Sequence, residues 1–143
     1  MRSQSCKAYA KINLTLDITG RRPDGYHLIE TVMHTISLCD TVTVKPARKA
    51  GITLRCNLPY VPCDERNIAY QAAQLFFQKA GRRENIFIDL RKRIPVGAGM
   101  AGGSTDAAAV LRLLNRAFGM PLGEKALHAL ALELGADVPF CLS

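Results

Sequence analysis

Pro95-Val96-Gly97-Ala98-Gly99-Met100-Ala101-Gly102-Gly103-Ser104-Thr105-Asp106, followed at once by Ala107-Ala108-Ala109-Val110-Leu111, decides how this chain is read. Four glycines in seven residues leave the backbone free to adopt left-handed conformations and turn its N–H groups outward. The Ala/Leu run behind them predicts a helix, with Ser104 or Thr105 as its cap. Ahead of them, Ile86-Phe87-Ile88-Asp89-Leu90 alternates as a strand does. The order is strand, glycine-rich loop, helix N-terminus. That junction gathers unpaired N–H donors at the positive end of a helix dipole, an arrangement suited to a phosphate.

Two known patterns overlap the glycines. Gly97-x-Gly99-x-x-Gly102 has the dinucleotide spacing, which requires a further parallel strand carrying an acidic residue about 20 residues on. The segment after the helix, Glu124 to Leu134, is again helical, so that strand is missing. Gly97-x-x-x-x-Gly102-Gly103-Ser104 approaches a Walker A loop, but Gly103 occupies the place of its lysine. What remains is a phosphate loop of a third kind, or a tight strand-to-helix connection without a ligand.

The 143 residues suffice for one domain with a core, and 48% are apolar, as expected of a globular chain. The net charge of +7 permits a polyanionic partner. Arg21-Arg22, Arg82-Arg83 and Arg91-Lys92-Arg93 are short, scattered clusters rather than a nucleic-acid stripe. Five cysteines form no C-x-x-C pair and no zinc spacing with the three histidines, which predicts reduced thiols in a cytoplasmic chain. No signal-like segment opens the sequence and no apolar run approaches a membrane span.

Working outward, Ala8 to Thr19 alternates as a half-buried strand, with Ile12, Leu14, Leu16 and Ile18 on one face and Lys11 and Asn13 neighbours on the other. Gly20 to Gly25 is turn chemistry leading into Tyr26-His27, an aromatic beside an imidazole that suits either a planar base or ordinary packing. Leu28 to Leu38 predicts a strand, Cys39-Asp40 a turn, Thr41 to Lys45 a strand and Gly51 to Cys56 another. Asn67 caps a helix that Gly81 ends. Asp137 falls where a third helix stops, and Pro139 directs Val138 into what looks like a further strand. Strands followed by a strand–helix–helix unit make an α+β domain, its mixed or antiparallel sheet packed against helices.

Four landmarks stand in order: Ala10-Lys11-Ile12-Asn13-Leu14, Pro23-Asp24-Gly25-Tyr26-His27, Pro95 to Thr105, and Gly135-Ala136-Asp137-Val138-Pro139. Together they resemble the GHMP small-molecule kinases, in the branch acting on 4-diphosphocytidyl-2-C-methyl-D-erythritol. The resemblance covers essentially the whole chain. It implies the amino-terminal GHMP domain, similar to the second domain of ribosomal protein S5, over residues 1–143. It implies ATP, with Mg²⁺, phosphorylating the 2-hydroxyl of this cytidine-diphosphate-linked polyol on the non-mevalonate route to isoprenoids. Lys11 and Asp137 match the family's catalytic pair and Pro95 to Thr105 its ATP loop. Asn13, Tyr26 and His27 match its substrate side, the last two near the cytosine. The family carries a second, carboxy-terminal domain absent from this chain, so little kinase activity is expected of the 143 residues alone. Two rivals remain: a GHMP kinase of another small alcohol, and a non-catalytic S5-like RNA-binding module.

Overall fold

The computed structural model describes the backbone of residues 1–21 and 27–143 and the side chains of residues 1–14 and 33–143. Its elements, in chain order, are β1 (Gln4–Arg21), β2 (His27–Pro46), β3 (Ile52–Cys56), α1 (Ile68–Ala80), β4 (Ile86–Arg91), α2 (Gly102–Ala117), α3 (Glu124–Leu134) and α4 (Val138–Leu142). The strands form one sheet in the order β1-β2-β4-β3. β2 runs antiparallel to β1 and β4, while β3 and β4 are parallel and α1 makes the crossover between them. The sheet is therefore mixed, as the α+β reading requires.

Alternation in β4 turns Ile86, Ile88 and Leu90 to the interior, where they meet Val42 and Val44 of β2 and Leu54 of β3. Onto this face packs α2, with every residue from Thr105 to Leu111 buried. Its alanines allow a close approach, and α1, α3 and α4 cover its other sides. α1 starts at Asn67, whose side chain accepts the Ala69 N–H at 2.9 Å, and ends at Gly81 in the left-handed conformation (φ 65°). Both ends were legible. Between α2 and α3 the buried Asn115 amide bonds the backbone of Leu122 in both directions, at 3.0 Å each.

Four expectations need correction. Residues 39–40 make no turn, because β2 is continuous and Asp40 pairs with Ala8 across the sheet. A buried carboxylate is tolerated there because donors from beyond β4 converge on it. Helix α2 begins earlier than Ser104, with Ala101 at the N-cap position in a left-handed conformation (φ 57°) and no side-chain cap. Residues 138–142 form the helix α4 rather than a strand, since Pro139 stands in a first turn that has no use for its missing N–H. Finally, β1 does not alternate strictly over the residues whose side chains are described, since Ala10 and Lys11 are both buried and Asn13 and Leu14 both exposed. Irregularities between Tyr9 and Lys11 and between Asn13 and Thr15 put Lys11 inside with Ala8 and Ala10, and leave Leu14 56% exposed.

The packing centre beneath α1 is aromatic: Phe76 is fully buried and meets Phe77 edge-on at 5.6 Å between ring centroids. Phe76→Ala is expected to cost about 3–5 kcal/mol of folding stability. Urea denaturation measures this, and a loss below about 1 kcal/mol would contradict the assigned core.

Candidate active site

Where the glycine-rich loop meets the sheet, three parts come together. The first is the loop itself. Gly97 (φ 75°), Gly99 (φ 74°) and Ala101 (φ 57°) are left-handed, and the residues between them are not. Alternating hand turns successive N–H groups to one side and makes an anion-binding concavity. The bond from the Thr105 N–H to the Ala101 carbonyl (2.9 Å) closes the first turn of α2. The N–H groups of Gly102, Gly103 and Ser104 thus precede the helical ladder, as orphan donors at the positive end of the dipole. Ser104 and Thr105 sit inside this first turn, and Thr105 is buried.

The second part is a cavity of about 350 Å³ walled on one side by Pro95 to Gly103 and on the other by Tyr60, Val61, Pro62 and Ile68. Its walls are mostly apolar, and Lys92 and Asp106 make its polar end. Pro95, Val96 and Ala98 line it together with the glycines, so the whole predicted loop up to Gly103 faces this space.

The third part is Lys11. Its N–H donates to the Met100 carbonyl at 3.0 Å, stitching the loop to β1. Its ammonium, on a side chain only 7% exposed, lies 3.8 Å from Oδ2 of Asp137 and 3.4 Å from Oδ1 of Asn13. Asp137 precedes α4 and makes no capping bond with its side chain, which is 43% exposed. Residues 126 positions apart thus meet beside the loop. Tyr26 and the side chain of His27 lie outside the described residues.

Sequence reasoning missed a further cluster. Lys92 Nζ lies 2.6 Å from Oδ2 of Asp40 and 2.7 Å from Oδ2 of Asp106, all three side chains being buried. Lys92 looked like one of several surface cations, and Asp40 like a turn residue. Only the fold brings them together. Burial raises the Asp106 carboxyl to about 8, helped by the neighbouring Asp40 and opposed by Lys92. Burial pushes Asp40 upward too, but hydrogen bonds from Asp106, Ile94, Lys92 and Arg93 outweigh it and hold that carboxyl below 3.8. Lys92 is lowered by burial, yet the two aspartates outweigh this and raise it above 10.5. Within the cluster, burial thus pushes Asp106 toward its protonated form while Asp40 is held the more acidic of the two carboxyls. Oδ1 of Asp106 is buried without a hydrogen-bond partner among the described residues.

Among the described residues no three His, Cys, Asp or Glu side chains converge to hold a metal ion. No described helix is long and apolar enough to cross a membrane, and all five cysteines are free.

Comparison with known proteins places this geometry in context. A family model described as GHMP kinases N terminal domain matches residues 67–143. A 4-diphosphocytidyl-2-C-methyl-D-erythritol kinase of Clostridium botulinum is 53% identical over 95% of this chain and 48% of its own length. One from Clostridium kluyveri is 49% identical over the same shares. The crystal structure of a 4-(cytidine 5'-diphospho)-2C-methyl-D-erythritol kinase superposes with a TM-score of 0.83 at 42% identity, covering 97% of this chain and 48% of that one. Homoserine kinase from Cytophaga hutchinsonii shares the fold, with a TM-score of 0.70 at 21% identity over 43% of its chain. The chain spans about half the length of the curated relatives it matches.

The raised carboxyl of Asp106 has a consequence for stability. Between its unfolded value of 3.8 and about 8, the folded state binds a proton that the unfolded state does not. Its contribution therefore falls as pH rises through that window. Asp106→Asn removes this slope, so the variant gains on the parent protein from pH 4 upward and holds a constant difference above about pH 8. Denaturation midpoints across this range test it, and parallel curves would contradict it.

Proposed function

We propose a function from one premise: the chain belongs to the GHMP kinase family. The reading is ATP-dependent phosphorylation of an alcohol, with the 2-hydroxyl of 4-diphosphocytidyl-2-C-methyl-D-erythritol as acceptor. The observation that carries it is the meeting of Lys11 and Asp137, 3.8 Å apart, on the strand position that is bonded to the glycine loop through Met100.

Phosphoryl transfer needs positioned groups and neutralised charge more than covalent help from the protein. The N–H groups of Gly102, Gly103 and Ser104, with those of the alternating loop, hold the ATP phosphates at the helix dipole. The apolar wall of Tyr60, Val61, Pro62 and Ile68 offers the adenine a hydrophobic surface. Asp137, free of any capping duty, accepts the hydroxyl proton as the substrate oxygen attacks phosphorus. Lys11 beside it orients that carboxylate and offsets charge developing on the phosphoryl oxygens. Mg²⁺ would arrive on the nucleotide and neutralise phosphate charge. Asn13, within reach of Lys11, stands on the acceptor side, and Tyr26 and His27 are assigned to the cytosine by their match to the family's motif. The amino-terminal GHMP domain over residues 1–143 is the unit assigned, working with a second domain of the family and, given its free thiols, in the cytoplasm.

Calorimetric titration with Mg-ATP and, separately, with the cytidylyl substrate tests this assignment. Gly99→Val forces a β-branched residue into a left-handed conformation although no atom lies within 4 Å of the new Cβ, so it reshapes the loop without a clash. It is expected to abolish ATP binding, whereas Lys11→Ala leaves the loop intact and abolishes turnover in the two-domain enzyme. Phosphorylation of homoserine, mevalonate or a sugar, with no response to the cytidylyl compound, would contradict the substrate. Salt-sensitive RNA binding without ATP binding would contradict the kinase reading.

A further inference from the structure

We propose that Asp40 is a positioning residue for the glycine-rich loop, fastening the strand-side end of the loop to its helix-side end through the buried ammonium of Lys92. The proposal rests on the phosphate-binding reading above. It concerns what gives the loop its shape.

From Pro95 to Ala101 no residue is buried. The loop has no side chain packed in the core to fix its conformation, and backbone N–H groups that bind an anion must be held in place beforehand. Fixing falls to the two ends. On the strand side, Oδ1 of Asp40 accepts the N–H of Arg93 at 2.7 Å and of Ile94 at 2.9 Å, the two residues before Pro95. Asn57 grips the residue before those, accepting the Lys92 N–H at 2.7 Å and donating to its carbonyl at 3.2 Å.

The helix-side end is reached through the side chain of Lys92. Its Nζ donates to Oδ2 of Asp40 at 2.6 Å and to Oδ2 of Asp106, in α2, at 2.7 Å. One ammonium thereby ties the strand that leads into the loop to the helix that leaves it. The fit is close: a Cβ added at Gly102 would lie 3.1 Å from that Nζ and 3.2 Å from Cγ2 of Ile94. The first residue of α2 rests directly on the bridge. A shift of the ammonium carries the N–H groups of Gly102, Gly103 and Ser104 with it.

Asp40 is the informative member because it cannot touch a ligand. It is fully buried and lies outside the cavity wall, whereas Lys92 and Asp106 are part of that wall. An effect of Asp40 on binding travels through the groups it holds, the backbone of Arg93 and Ile94 and the ammonium of Lys92.

Asp40→Asn keeps the size and the acceptor at Oδ1 but removes the charge that holds the ammonium. Affinities of the 143-residue chain for ATP, inorganic tripolyphosphate and adenosine, measured by NMR titration, test the role. ATP and tripolyphosphate are expected to bind about tenfold more weakly or worse, while adenosine stays within about twofold. Amide exchange at Thr105 is expected to quicken while Leu130 and Ala131 in α3 hold steady. Equal weakening of all three ligands with faster exchange in α3 would mean a general loosening and overturn the proposal. Unchanged phosphate affinity and unchanged exchange at Thr105 would overturn it as well. Should the parent chain bind none of the three, the phosphate-binding reading fails, and exchange at Thr105 alone still decides whether Asp40 sets the loop. Should the variant not fold, the parent chain decides: the amides of Arg93 and Ile94 must exchange as slowly as those of Ile88 and Leu90, and rapid exchange there would refute the clamp.

Discussion

A loop proposed to bind through its backbone N–H groups has to be rigid without being packed. In this chain that constraint is met from outside the loop. The Lys92 ammonium sits between Asp40 and Asp106 beneath it, and the Lys11 N–H holds the Met100 carbonyl at its side. Three elements distant in sequence, β1, β2 and α2, are thereby committed to one short stretch of backbone. Burying two carboxyl groups and an ammonium carries a desolvation cost, and removing one partner from such a set is more damaging than replacing the whole by apolar residues. Its presence next to the cavity is explained by position rather than by stability.

The rest of the architecture serves the same junction. Antiparallel pairing of β2 with β4 brings Asp40 to the end of β4, where Arg93 and Ile94 emerge. The alanine face of α2 lets the helix lie close against the sheet, so that its N-terminus opens beside β1. An irregularity in β1 turns Lys11 inward at that level, and α4, packed on α2, delivers Asp137 to it. A cation paired with a carboxylate therefore stands beside a loop whose last N–H groups precede the helical ladder. That is the set of groups phosphoryl transfer asks for.

Much of this was legible in the sequence, for reasons that can be named. Local periodicity and cap chemistry are encoded within a few residues, which is why β4, α1 between Asn67 and Gly81, and α3 were read correctly. The glycine loop announced itself because only glycine supplies left-handed backbone cheaply, at 97 and 99. Failures fell where distant residues override local preference. Cys39-Asp40 has turn composition, yet Asp40 stays in a strand because Lys92, 52 residues away, bonds it. Ser104 is a better cap than Ala101 by propensity, but the loop enters the helix through left-handed Ala101 and leaves Gly102 free to rest on Lys92. Strict alternation put Lys11 outside, and the strand irregularity beside it put it in. The Lys11–Asp137 pairing came from resemblance, since spacing alone says nothing about residues so far apart.

The central claim is that the loop from Gly97 to Ser104 receives phosphate on its backbone N–H groups. Amide chemical shifts of the labelled 143-residue chain, recorded as ATP is added, test it most directly. The account predicts that the largest changes fall on Gly97, Gly99, Gly102, Gly103 and Ser104, with lesser ones at Ile68 and Tyr60. Changes confined to the arginine clusters at 82–83 and 91–93, with the loop amides unmoved, would contradict it.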